Sequence, residues 1–144
     1  MAAFITSADA IFVLTIDTLF NAPITLENWS ADRAWEAAAI EQVQTRMSID
    51  GKLNAGWVPN PVDMTLNIQP NSLSIPVFEA LQTAQATART PYQLGAEITL
   101  PGLKRKYTLT TGYLVTGSVM PAAGRLLEER SFTLRWERVI GLGI

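Results

Sequence analysis

Apolar and polar residues alternate with a period of two over much of the chain. Residues 62–69 (VDMTLNIQ) put Val62, Met64, Leu66 and Ile68 on one side and Asp63, Thr65, Asn67 and Gln69 on the other. Successive side chains of a strand point to opposite faces, so this run predicts an antiparallel strand with one buried face. Over residues 92–100, Tyr92, Leu94, Ala96, Ile98 and Leu100 alternate with Gln93, Gly95, Glu97 and Thr99. Over 130–139, Phe132, Leu134 and Trp136 alternate with Ser131, Thr133, Arg135 and Glu137. Residues 11–20 (IFVLTIDTLF) are rich in β-branched and aromatic side chains and predict a further strand, with a turn at Asn21-Ala22-Pro23 and a short antiparallel return over 24–27.

The stretch from 31 to 49 reads two ways at its start. Ser30 could cap a helix opening at Ala31, and the alanine run favours it. Yet Trp35, Ala37, Ala39, Val43, Met47 and Ile49 share one face at strand spacing, so a strand is expected over about 41–49, with 31–39 open. Asp50-Gly51 then predicts a hairpin with a type I′ turn and a return strand over 52–58. Pro101-Gly102 predicts another turn, with residues 104–116 returning; Met120-Pro121-Ala122-Ala123-Gly124 reads as a loop, and the tail Gly141-Leu142-Gly143-Ile144 has no evident partner.

One helix interrupts this pattern. Ser72 or Ser74 can serve as N-cap and Pro76 fits the first turn, where its missing N–H is harmless. Val77, Phe78, Leu81, Ala84 and Ala88, with Gln85 among them, follow helical spacing, and Thr90-Pro91 stops the run. The expected fold class is therefore mainly β, one domain over residues 1–144: an antiparallel β-sandwich or partly closed barrel of seven or eight strands with one packed helix.

Composition narrows the chemistry. The chain has 144 residues, 48% of them hydrophobic and 17% charged, a globular balance. It contains neither cysteine nor histidine. Disulfides, thiolate zinc sites, Ser-His-Asp catalysis and His-metal sites are thereby excluded within the chain. The net charge of −2 argues against binding nucleic acid through phosphates. The first twenty residues carry Asp9 and Asp17 and no Lys or Arg before their apolar stretch, unlike a secretory signal. No apolar run is long enough to predict a membrane span. Asn28-Trp29-Ser30 matches a glycosylation sequon and reads as chance without a secretory route.

Candidate sites are correspondingly few. Lys104-Arg105-Lys106 could meet phosphate or an acidic surface, or simply guard a strand edge. Glu27 and Glu36 could form a carboxylate pair only if the fold joined them. The aspartates are scattered and lack an EF-hand pattern, and no phosphate-binding glycine motif occurs, so no metal, cofactor or catalytic residue is expected. Polar faces rich in Thr, Gln and Asn stand out instead: Gln42, Gln44, Arg46 and Ser48; Asp63, Thr65, Asn67 and Gln69; Thr108, Thr110 and Thr111. They suit a solvated sheet or the wall of a water-filled channel.

The order of these elements carries a resemblance. A hairpin on DGKLNAG, a strand ending in MTLNIQPNS, a helix opening SIPVFEAL, a hairpin carrying KRKYTLTTGYL, a Pro-Ala-Ala loop and a final SFTLRWE strand span roughly residues 10–138. This order resembles the tail-tube-like structural proteins of contractile-tailed bacteriophages. The resemblance implies a non-enzymatic virion component, in the host cytoplasm during assembly and in the tail thereafter. It implies hexameric rings, stacked, contacting sheath, tape-measure and baseplate proteins, with DNA transiting the lumen without specific binding. It places ring-to-ring contact on the 47–58 hairpin and, through its apolar character, on the 141–144 tail, and the lumen or neighbour face on 62–69 and 92–116. The expected interface residues are Asp50, Gly51, Lys52, Leu53 and Trp57 on the hairpin, with Lys104, Arg105 and Lys106. The nearly neutral polar faces leave tube and baseplate-end roles both open. The alternative is a carbohydrate- or ligand-binding β-sandwich using Trp29, Trp35 or Trp57 as a stacking platform.

Overall fold

The two-residue alternation becomes the lined interior of one curled sheet. The structure is a computed structural model and describes residues 10–17, 23–26 and 34–143. Among these lie nine strands and one helix: β1 (Ile11–Ile16), β2 (Ile24–Thr25), β3 (Trp35–Ala37), β4 (Val43–Met47), β5 (Leu53–Trp57), β6 (Val62–Ile68), α1 (Ile75–Ala88), β7 (Leu94–Leu100), β8 (Arg105–Gly117) and β9 (Arg130–Gly143). Seven strands form an antiparallel sheet in the order β2-β1-β7-β8-β9-β6-β3, and β4 pairs only with β5. The mainly β, antiparallel character with one helix is as the alternation predicts.

Register explains the core. Val62 lies opposite Trp136, Met64 opposite Leu134 and Leu66 opposite Phe132. On the other side of the sheet, Phe12 faces Ile98, Leu14 faces Ala96 and Ile16 faces Leu94. All of these are buried. Phe12 comes from near one end of the strand order, yet its ring meets Trp35 of β3, at the other end, edge-on at 6.2 Å. The sheet therefore curls until its ends approach, and no ladder joins β2 to β3, so it does not close into a barrel.

Two features set this curl. The β7–β8 register shifts between Leu94 and Ala96, whose partners are Gly112 and Leu109, and Thr111 lies in the left-handed region at φ 49°. An extra residue of this kind bends a strand and sharpens its twist. At the bend the Trp136 ring lies directly on Gly112: a Cβ there would sit 2.2 Å from Trp136 Cε3. Only glycine permits that approach.

Helix α1 covers the interior with Ile75, Phe78 and Leu81, and Phe78 stacks on Phe132 at 4.6 Å. Ser74 holds the N-cap position with Pro76 in the first turn, and the helix stops at Arg89, which is left-handed just before Thr90-Pro91. Arg130, at the start of β9, has a side chain only 1% exposed. Its Nη1 donates to Glu79 Oε1 on the helix at 2.5 Å, and its Nη2 donates to the Ser118 carbonyl at 2.7 Å. The guanidinium also lies over Phe132, so one buried cation ties helix, strand and loop together.

Several expectations are corrected. The tail is not free: Gly141, Leu142 and Gly143 extend β9 and pair with Tyr107, Lys106 and Arg105 of β8. Glycines give little strand signal, so backbone pairing carried by a long neighbour was illegible there. The hairpin turn is not type I′. Ser48 N–H donates to the Lys52 carbonyl at 2.8 Å and Gly51 N–H to the Ser48 carbonyl at 2.9 Å, with positive φ at Gly51 but not at Asp50. This is a three-residue loop with a glycine bulge, an alternative that the same Asp-Gly pair serves equally well. The strands over 41–49 and 52–58 shorten to 43–47 and 53–57, and within the stretch left open at 31–39 Trp35–Ala37 forms a strand of its own on β6. The N-cap proposed at Ser30, the turn at 21–22 and residues 18–20 lie outside the described residues.

Gly112→Ala is expected to destabilise the fold by about 1–3 kcal/mol through overpacking against Trp136, seen as a lower urea midpoint at unchanged m-value. Glu79→Ala is expected to cost more than Arg130→Met, by about 1 kcal/mol or more, because it strands a buried cation whereas Met refills the site and leaves a half-exposed carboxylate. The same denaturation series ranks the two.

Candidate interaction surface

Strands β4 and β5 form an arm whose two faces differ. Val43 lies opposite Trp57, Thr45 opposite Ala55 and Met47 opposite Leu53; between these rows Gln44 faces Gly56 and Arg46 faces Asn54. Alternation thus collects Val43, Met47, Leu53 and Trp57 on one side and the polar residues on the other. Every residue of both strands is exposed. Trp57 is 73% exposed and Met47 63%. Ile49, at the tip, is fully exposed.

The arm is ordered by local bonds. Asn54 Nδ2 donates to Ser48 Oγ at 2.6 Å beside the turn. At the base, Val58 N–H donates to the Gln42 carbonyl and Asn60 Nδ2 to the Glu41 carbonyl. Trp57, Val58 and Pro59 there line a small cavity of about 220 Å³ with Ile40, Val62 and Val139. A two-stranded ribbon in water is marginal without a hydrophobic partner. Its outer edges also present unpaired backbone groups, as edge strands do. Covering its four large apolar side chains would gain roughly 1.5–3 kcal/mol for each one fully buried.

The expected interface residues fall into two separate places. Asp50, Gly51, Lys52, Leu53 and Trp57 all lie on the arm, with Lys52 N–H directed at Asp50 Oδ1 at 3.4 Å. Lys104, Arg105 and Lys106 lie at the turn into β8 of the seven-stranded sheet, in different surroundings. Lys104 is left-handed at φ 53°, the Arg105 guanidinium lies 6.0 Å from the Tyr107 ring centre, and Lys106 Nζ pairs with Glu97 at 2.7 Å. Sequence reading placed Val43, Met47 and Ile49 on one face without assigning them to the interface. The register puts Val43 and Met47 on the same exposed face as Leu53 and Trp57.

The convex face of the large sheet carries polar residues and ion pairs beside exposed apolar ones, Ile11, Tyr113, Ile140 and Leu142. Arg135 Nε donates to Asp63 Oδ1 at 2.7 Å, and this bond raises the Arg135 pKa further above its ordinary value. Ser131 Oγ donates to Asn67 Oδ1 at 2.5 Å. Thr116, Thr133, Thr65 and Glu36 occupy successive strands in one row. Among the described residues the tryptophans do not assemble a platform. Trp35 packs on Phe12, Trp136 is buried, Trp57 stands on the arm, and Trp29 lies outside the described residues. Glu27, the suggested partner of Glu36, also lies outside them. Among the described residues no cluster suited to a metal ion occurs, and no helix is long and apolar enough to cross a membrane.

Residues 3–140 match the family described as Tail fiber protein gp32. No curated protein matches the chain. Its fold is similar to that of a chain in the cryo-EM structure of the anti-feeding prophage baseplate, sixfold symmetrised, with a TM-score of 0.60 and 15% identity over 99% of this chain and 98% of that one. A chain in the sheath-tube complex of an extracellular contractile injection system (PVC), in its extended state, is similar at a TM-score of 0.57 and 11% identity, over 92% of this chain and 88% of that one. A chain in the cap that terminates the anti-feeding prophage tube gives 0.50 at 11% identity over the same shares, 92% and 88%.

Because the arm's apolar side chains contribute little to the protein's own core, Trp57→Ala and Met47→Ser are each expected to change the stability of the unassembled protein by no more than about 0.5 kcal/mol. Gly51→Ala, at φ +87°, is expected to cost about 1 kcal/mol in the arm alone. Hydrogen exchange should then show faster exchange confined to residues 43–57.

Proposed function

The chain belongs to the Tail fiber protein gp32 family, and on that premise we propose that it is a tube-like structural subunit of a contractile-type tail, acting at the tube or at its baseplate end. The observation that carries this reading is the arm: an ordered ribbon with one apolar face that none of the described residues covers. Six copies form a ring, in keeping with the sixfold symmetry of the baseplate to which the fold is similar. Arms then join one ring to the next. Obligate interfaces of this kind commonly bury more than ~2,000 Å², far more than one arm supplies, so sheet edges take part as well.

The threonine and ion-paired rows of the convex sheet face fit a channel wall. Pairing of Arg135 with Asp63 and of Lys106 with Glu97 removes cationic grip, and the threonine row keeps the surface wetted. Tape-measure protein and DNA would pass such a wall without specific binding. Sheath and baseplate proteins would meet the outside of the ring, and assembly would take place in the host cytoplasm. The role is mechanical and uses no cofactor. A carbohydrate-binding reading has less support, since Trp35 and Trp57 present no shared platform.

Purified protein is expected to form rings or tubes in negative-stain images, with hexamer mass by mass photometry. Met47→Asp combined with Trp57→Asp is expected to leave folded single subunits or unstacked rings. A wild-type protein that stays monomeric at high concentration would overturn the proposal.

A further inference from the structure

The segment between β8 and β9 exposes a second apolar surface. Val119 is 81% exposed and Leu126 82%, with Met120 and Leu127 also exposed beside them. The loop is nonetheless held in shape. Ala123 bridges Leu127, Gly124 N–H donates to the Leu126 carbonyl at 3.0 Å, and Glu128 N–H donates to the Ala122 carbonyl at 2.8 Å. Ser118, where the loop begins, accepts the buried Arg130 through its carbonyl. A shaped loop presenting four large apolar side chains to water marks an interaction surface, whereas a spacer would be polar.

Its position relative to the arm is informative. The arm joins β6 at Val62, opposite Trp136, whereas the loop joins β9 at Arg130, opposite Ile68. The two surfaces therefore leave opposite ends of the β6–β9 pair, about 20 Å apart at ~3.3 Å per residue. Their charges are complementary: the arm carries Arg46 and Lys52 against Asp50, and the loop carries Glu128 and Glu129 against Arg125.

We infer that the loop 118–129 receives the apolar face of the arm from a second copy of this chain, Val119, Met120, Leu126 and Leu127 covering Val43, Met47, Leu53 and Trp57. Joining unlike surfaces at opposite ends of identical subunits is a heterologous contact, which repeats in one direction and so builds a stack. The inference rests on the reading that arms join copies, and adds the surface that receives them.

The cysteine-free chain allows a direct test. In Leu53→Cys/Leu126→Cys, mild oxidation of the assembled protein is expected to give a ladder of covalent trimers and larger species on non-reducing gels. Each single variant, Leu53→Cys or Leu126→Cys, is expected to stay roughly tenfold poorer in covalent dimer, because like surfaces are not held together. Leu126→Ser/Leu127→Ser is expected to keep its monomer stability and to form rings that no longer stack. Tubes of wild-type length from that variant, or dimers from Leu53→Cys alone without a ladder in the double variant, would overturn the arm-to-loop contact and leave the structural role standing. Wild-type protein that forms no assembly would end both.

Discussion

A ribbon of two strands cannot hide its own apolar face. Each strand offers only one row of side chains to that face, and among the described residues no third strand pairs with it. Here the row is Val43, Met47, Leu53 and Trp57, and all four remain in contact with water. A solitary protein with this feature would carry an aggregation hazard, and edge strands in monomers are usually shortened, charged or covered. The arm is instead well formed, with a bulged glycine turn and hydrogen bonds at tip and base. Order without burial makes sense when burial is supplied by another molecule.

The rest of the fold keeps that arm separate. The large sheet curls round its own apolar lining, and α1 closes it through Ile75, Phe78 and Leu81. The buried cluster that fills most of this interior includes no residue of the arm. The bend at Thr110-Thr111 and the seat of Trp136 on Gly112 set the curl. Arg130 then links the closing helix to Ser118, where the β8–β9 loop begins. The interior that stabilises the subunit thus also fixes where the two outward apolar surfaces emerge.

The convex face follows from the same alternation. Residues that line the interior alternate with neighbours pointing outward, and those neighbours mix Thr, Ser and paired charges with exposed apolar side chains, Tyr113, Ile140 and Leu142 among them. Along its threonine and ion-paired rows this face is wettable and weakly charged.

Much of this was legible in the residues. Alternation along 62–68, 94–100 and 130–136 specified which side chains turn inward, because strand geometry allows no other assignment. Pro76 and the spacing of Phe78 and Leu81 specified the helix. Asp50-Gly51 specified a hairpin but not its turn type, since both turns accept that pair. What sequence could not specify was everything that depends on distant partners. Gly141–Gly143 pair through backbone groups that every residue shares, so no side-chain pattern announced them. Sequence reading placed Leu53 and Trp57 of the 47–58 hairpin at an interface, but that Val43 and Met47 share their face and stay exposed emerged only from the register of β4 against β5 and the rest of the fold. The loop carrying Leu126 and Leu127 showed only turn residues and two leucines. Periodicity determined what each segment is, because it is a local property of the chain. Which apolar faces stay uncovered was decided by tertiary structure, because burial depends on what else fills the interior.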